Sequence, residues 1–156
     1  MDFIVPWDRW LQRSLVFLQA YLDIERFERI FTHTSVHFAL NPGVCGSAAW
    51  IGVMVPSLDR VGRRFPLTLC RLFKGKLRGS RLFHCENAWY EAIEILARDL
   101  VRGVRDPNGL VLADGYTDKR LFWFHRAVSW WRCPRGRIIE TCGLPDTRTL
   151  RDWIAL

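Results

Sequence analysis

Apolar residues return at helical spacing at Trp7, Trp10, Leu11, Leu15, Leu18 and Leu22, which predicts an amphipathic helix over residues 7–21 with Pro6 in its first turn. A shorter helix is expected over 23–31, where Ile24, Phe27 and Ile30 oppose Glu25, Arg26, Glu28 and Arg29. The period then changes. Val36 to Leu40 alternates as a strand does and stops at the breaker Asn41-Pro42-Gly43. Trp50 to Val55 is an apolar run interrupted only by Gly52, the pattern of a central strand covered on both faces. Phe65 to Phe73 supplies a third strand, and the short connections between these strands favour antiparallel pairing.

Leu82, Trp89, Ile93, Leu96 and Leu100 trace one face of a long helix over 82–101, with Gly103 at its stop. Asp106-Pro107-Asn108-Gly109 predicts a turn. Residues 110–127 have no dominant period, and Leu121 to Phe124 fits a strand or a helical turn. Ser129 to Arg132 and Arg137 to Glu140 read as a hairpin around Pro134-Arg135-Gly136, and Thr147 to Ile154 as a closing helix capped by Asp146. No repeat or linker divides the chain, so one domain spanning 1–156 is expected. Its class is α/β (α+β), with a largely antiparallel central sheet flanked by helices.

With 49% hydrophobic residues and eight tryptophans among 156, the chain has the composition of a packed domain and not of a disordered one. The net charge of +7, carried mostly by arginine, favours acidic partners. Cysteines at 45, 70, 85, 133 and 142 make no CxxC pair and are odd in number, which fits a reducing cytoplasm. The first residues lack the basic and apolar regions of a signal peptide, and no apolar run reaches the roughly 18 residues of a membrane span.

The candidate chemistry is thin. Cys45, with His33 and His37 near it in sequence, suggests a Cys-His pair, but no third orienting group or oxyanion hole accompanies them, and a small residue fitting a tight turn is the better explanation of Cys45. His84 and Cys85 with His125 and Cys133 would make a metal set only if adjacent helical residues, which point about 100° apart, shared one ion. Asp59-Arg60-Val61-Gly62-Arg63-Arg64 follows a strand without the spacing of a Walker loop. Two readings of it stand side by side: guanidinium forks offered to an anion or partner, or a turn tied by Asp59 with Gly62 at positive φ. Trp130-Trp131 beside Arg132, Arg135 and Arg137 has the composition of a single-strand nucleic-acid platform, yet strand alternation turns one indole inward and leaves at most one on offer.

Four separated patches closely resemble the TagF family, also called ImpM. They are Pro6-Trp7-Asp8-Arg9-Trp10-Leu11-Gln12; Phe38-Ala39-Leu40 running into Pro42-Gly43-Val44-Cys45-Gly46; Pro56-Ser57-Leu58-Asp59-Arg60-Val61-Gly62-Arg63 continuing through Phe65-Pro66-Leu67-Thr68; and Ser129-Trp130-Trp131 followed by Gly143-Leu144-Pro145. The family usually opens with a Gly-Lys-Leu-Pro strand and a Gly-Asp-Phe turn, whereas only Met1 to Val5 precede Pro6 here. The resemblance implies a longin-like sandwich in which either the family's first strand is absent, leaving a sheet edge open, or another segment takes its place. It also matches less clearly over 110–127.

The resemblance further implies a cytoplasmic, non-enzymatic repressor of type VI secretion assembly. Such a protein acts after translation by binding a forkhead-associated scaffold, without cofactor, metal, nucleic acid or membrane insertion; some relatives are fused to a phosphatase domain. The expected partner surface is Asp59, Arg60, Arg63 and Arg64 with exposed rings at Trp7 and Trp130, residue types favoured at interface hot spots. The alternatives are a basic nucleic-acid-binding module and a hydrolase using Cys45 or Asp59.

Overall fold

The computed structural model describes residues 3–58, 61–74, 79–106, 127–133 and 136–154. In chain order the elements are α1 (Ile4–Tyr21), α2 (Ile24–His33), β1 (Val36–Leu40), β2 (Trp50–Val55), β3 (Leu67–Leu72), α3 (Arg81–Cys85), α4 (Asn87–Val101), β4 (Val128–Arg132), β5 (Ile138–Cys142) and α5 (Thr147–Ile154). The five strands form one sheet in the order β3-β2-β1-β4-β5, with every neighbouring pair antiparallel.

Helices cover both faces of this sheet, and strand alternation sorts the core accordingly. Ala39, Ile51, Val53, Val55 and Trp130 pack with Leu82, Phe83, Tyr90 and Ala97 of α3 and α4. Val36, Phe38, Leu40 and Trp131 pack on the other face with Phe3, Trp7 and Leu11 of the α1 segment. The double cover explains why β1 is buried at every position although its sequence alternates. It also corrects the expectation that one of Trp130 and Trp131 faces outward. Both are buried, at 8% and 0% exposure, one in each layer.

Burying so many indoles requires partners for their N–H groups. Trp7 donates to Thr68 Oγ1 at 3.2 Å, Trp10 to the Pro145 carbonyl at 2.8 Å and Trp50 to the Cys45 carbonyl at 3.1 Å. Trp130 donates to Glu140 at 2.7 Å and Trp131 to Ser129 Oγ at 2.6 Å. Asp146 caps α5 as expected, accepting from the Thr149 amide at 2.8 Å.

Two elements differ from the sequence pattern. The third strand spans Leu67–Leu72, shorter than 65–73. The expected long helix is broken at Glu86, whose φ of −101° and ψ of 14° leave the helical region. Arginines on the sheet hold that break: Arg71 bonds the Glu86 carboxylate at 2.7 Å, while Arg132 reaches Asn87 Oδ1 at 2.8 Å and the Phe83 carbonyl at 3.4 Å. The buried face of α4 is centred on Tyr90 and Ala97, with Trp89 and Ile93 partly buried beside them. The expected turn beyond Asp106 and the ambiguous stretch through residue 126 lie outside the described residues.

Gly52 sits where a side chain has no room. A Cβ there would lie 2.3 Å from Phe38 Cζ, 2.8 Å from Cys70 Cβ and 2.8 Å from the Leu69 carbonyl oxygen. Phe38 thus takes the space above the strand opposite it, in register with Gly52. Replacing Gly52 by Ala is expected to cost about 2 kcal/mol or more by overpacking, read from the urea unfolding midpoint. Gly52→Ala combined with Phe38→Leu should be less destabilised than the sum of the two single changes. An unchanged midpoint for the single variant would contradict this packing.

Candidate functional site

Among the described residues of the expected partner surface, those in the β2–β3 connection reach solvent. Leu58 and Arg64 form an isolated antiparallel bridge, the Phe65 amide donates to the Ser57 carbonyl at 3.1 Å, and Gly62 turns the tip at φ 79°. Arg64 anchors the loop to α2: it bonds Glu28 and its guanidinium lies over the Phe27 ring, 5.9 Å from the centroid. Arg63 is exposed, as are Leu58 at 61%, Val61 at 74% and Phe65 at 37%. Asp59 and Arg60 lie outside the described residues.

The two tryptophans assigned to that surface are elsewhere. Trp7 is 4% exposed, with its ring 4.5 Å from Phe38 and 6.0 Å from Trp131, and Trp130 lies under α3 and α4. Neither ring is offered to a partner. The reason is the double cover of the sheet, which a single strand's alternation does not reveal. With both indoles of the Trp130-Trp131 pair enclosed, that pair makes no stacking platform.

A second feature escaped the sequence reading. Strand alternation turns His37 toward α4, into a polar cleft of about 370 Å³ bordered by Ser35, Asn87, Glu91, Glu94, Arg98 and Arg132. His37 Nε2 lies 2.6 Å from Glu94 Oε2, and its Nδ1 lies 2.6 Å from Arg132 Nη2 and 3.1 Å from Nε. The ring stacks on Tyr90 with centroids 4.9 Å apart. Tyr90 donates its hydroxyl to the Phe38 carbonyl at 2.8 Å, and Arg98 bonds both Glu94, at 2.8 Å, and Ser35. The clue was present as Glu91, Glu94 and Arg98 at helical spacing along 82–101, but nothing in one chain's pattern says that His37 and Arg132 meet them.

A carboxylate only accepts and a guanidinium only donates, so the Glu94 contact requires a proton on Nε2 and the Arg132 contact a lone pair on Nδ1. His37 is therefore neutral, and its contact with Glu94 is a hydrogen bond to a carboxylate and not an ion pair. Burial lowers the ring below its ordinary 6.5, and Arg132 adds to that, against the pull of Glu94. At Glu94 burial acts upward, yet hydrogen bonds from Arg98, His37 and Ser35 outweigh it and hold the carboxyl below its ordinary 4.5. Both of its nitrogens engaged, His37 has no lone pair for base catalysis.

Cys45 is fully buried in the turn after β1, and burial first, then Cys70, pushes its thiol up to about 12. No useful thiolate exists there at neutral pH, which weighs against the Cys45 hydrolase. His84 and Cys85 are exposed on α3, while His125 lies outside the described residues. Among the described residues, no three His, Cys, Asp or Glu side chains converge as a metal set. No helix among them is long and apolar enough to cross a membrane.

The family described as TagF N-terminal domain, Type VI secretion system-associated, matches residues 1–111. The chain belongs to the TagF N-terminal domain family. It is thus a type VI secretion system-associated protein. The crystal structure of PA0076 from Pseudomonas aeruginosa PAO1 has the same fold, with a TM-score of 0.69 and 23% identity over 98% of this chain and 84% of that one. A search of curated proteins found no match.

Arg132 carries the cleft's architecture, since its five N–H groups serve His37, Asn87 and the Phe83 carbonyl together. Arg132→Met is expected to lower stability by about 2–3 kcal/mol through the acceptors it strands. Arg132→Lys should recover less than half, because a point charge cannot serve acceptors that diverge around a planar fork. Chemical denaturation of the three proteins measures this, and a Met variant as stable as the parent would show that the contacts contribute little.

Proposed function

We propose that this TagF-family chain is a non-enzymatic regulator that represses type VI secretion assembly after translation, in the cytoplasm, by binding a forkhead-associated scaffold protein. The observation that carries this reading is the family match over residues 1–111. The buried, high-pKa Cys45 and the fully engaged His37 support a role without chemistry of its own.

The contact surface we propose is the β2–β3 loop, with Leu58, Val61, Arg63 and Phe65 as the exposed groups. Asp59 and Arg60 share this loop in sequence and are included in the proposal. Apolar side chains interspersed with arginine suit a partner that is acidic and partly apolar, as the chain's +7 charge also does. The Leu58–Arg64 bridge and the Arg64 anchor on α2 hold the two ends of the loop together before binding, which lowers the entropy that docking must overcome. Trp7 and Trp130 drop out of the surface because they are core residues.

Arg63 is the position to probe because it is the exposed arginine of the pair, while Arg64 is tied to Glu28. Arg63→Glu, alone and with Val61→Asp, is expected to weaken binding to the purified scaffold at least about tenfold with an unchanged unfolding midpoint. Unchanged affinity in the double variant would move the interface elsewhere. In cells, overexpression should suppress type VI secretion and deletion should raise it. Secretion indifferent to both would overturn the repressor reading itself.

A further inference from the structure

We propose that Glu94, His37 and Arg132 form an acid-sensitive latch that fastens the α3–α4 junction to β1 and β4, closed while His37 is neutral and released when its Nδ1 takes a proton. The closed state admits one arrangement only. Glu94 fixes the ring proton on Nε2, and the Nδ1 lone pair accepts from two nitrogens of Arg132, at 2.6 and 3.1 Å. Protonation would place a new N–H, on a new cation, against those two donors. The ring is tied in place by its stacking on Tyr90 and its bond to Glu94. Arg132 is then the group that moves, and its other bonds straddle the break at Glu86, to the Phe83 carbonyl on one side and Asn87 on the other.

The remaining charges around the ring act on the same protonation. From α4, Glu91 and Glu94 favour the protonated ring and Arg98 neutralises part of Glu94; from β4, Arg132 opposes protonation. From the same helix, the Tyr90 hydroxyl is turned away to the Phe38 carbonyl. Arg98 and Ser35 help hold Glu94 below its ordinary 4.5, so the carboxylate stays ionised over the pH range in which an opened histidine takes up its proton. An opened latch returns the ring toward 6.5, so opening takes up one proton as pH falls below that value. The opening constant then rises by up to about tenfold per pH unit until the closed ring itself protonates.

Amide hydrogen exchange on the intact chain at pH 7.5 and 5.5, corrected for intrinsic rates, tests this. The Glu86 and Tyr90 amides, bonded to the Leu82 and Glu86 carbonyls, should lose about tenfold in protection while the amides of α1 keep theirs. His37→Gln should abolish the difference between the two pH values. Equal protection of the junction relative to α1 at both pH values, or a Gln variant that keeps the response, would overturn the latch. If His37→Gln does not fold, the imidazole nitrogen shifts of the parent protein decide: a proton on Nε2 alone at pH 7.5 is expected, and a proton found on Nδ1 contradicts the proposal.

Discussion

The structure depends on one constraint, that β1 lies in the middle of a sheet with both faces covered. Every residue of β1 must satisfy one helical layer or the other, and the two-residue period of a strand decides which. Val36, Phe38 and Leu40 fall to the α1 layer, where Phe38 extends over Gly52 and meets Trp7 and Trp131. His37 and Ala39 fall to the α4 layer. A shift of one residue in the pairing of β1 would send Phe38 into the polar cleft and His37 into a cluster of aromatic rings, so the register is strongly specified.

The polar cleft follows from that parity. A histidine turned into a buried layer must be hydrogen-bonded, and α4 supplies Glu94 while β4 supplies Arg132, its register partner across the strand pair. The same arginine holds the broken helix between α3 and α4, so one side chain couples the strand order to the placement of the helical layer. Satisfying a buried histidine and shaping a helix junction are here a single arrangement of hydrogen bonds. Its dependence on the neutral ring is what gives it an acid-sensitive character.

Much of the fold was legible in the sequence because local periodicity and punctuation agree. The spacing of Trp7, Leu11 and Leu18, the apolar run from Trp50 to Val55 and the Asp146 cap all describe elements that the structure contains. What was not legible came from the third dimension. The break at Glu86 is where Arg71 and Arg132 reach in from the sheet, and no residue of the helix itself announces it. The burial of both Trp130 and Trp131 needs helices on both faces, which the alternation of a single strand cannot report. The centre of α4 was missed because Tyr90 reads as polar and Ala97 as small, although a buried hydroxyl bonded to the Phe38 carbonyl is a sound core group. On the candidate surface, the arginine loop was placed correctly between two strands, while Trp7 failed because an amphipathic helix buries the ring that marks its apolar face.

The basic charge of the chain changes meaning once the side chains are placed. A net +7 taken from composition invites a reading in which the cations form a common field for an acidic polymer. Arg132 is committed to a buried histidine, Arg71 to Glu86 and the face of Trp89, Arg98 to Glu94 and Ser35, and Arg64 to Glu28. These guanidiniums tie helices to the sheet and a loop to α2, and the planar fork of arginine suits that task better than lysine would. Arginine enrichment here is thus in good part architectural. That weakens nucleic-acid binding as an explanation of the charge and concentrates the recognition argument on the short loop where arginine and apolar side chains reach solvent together.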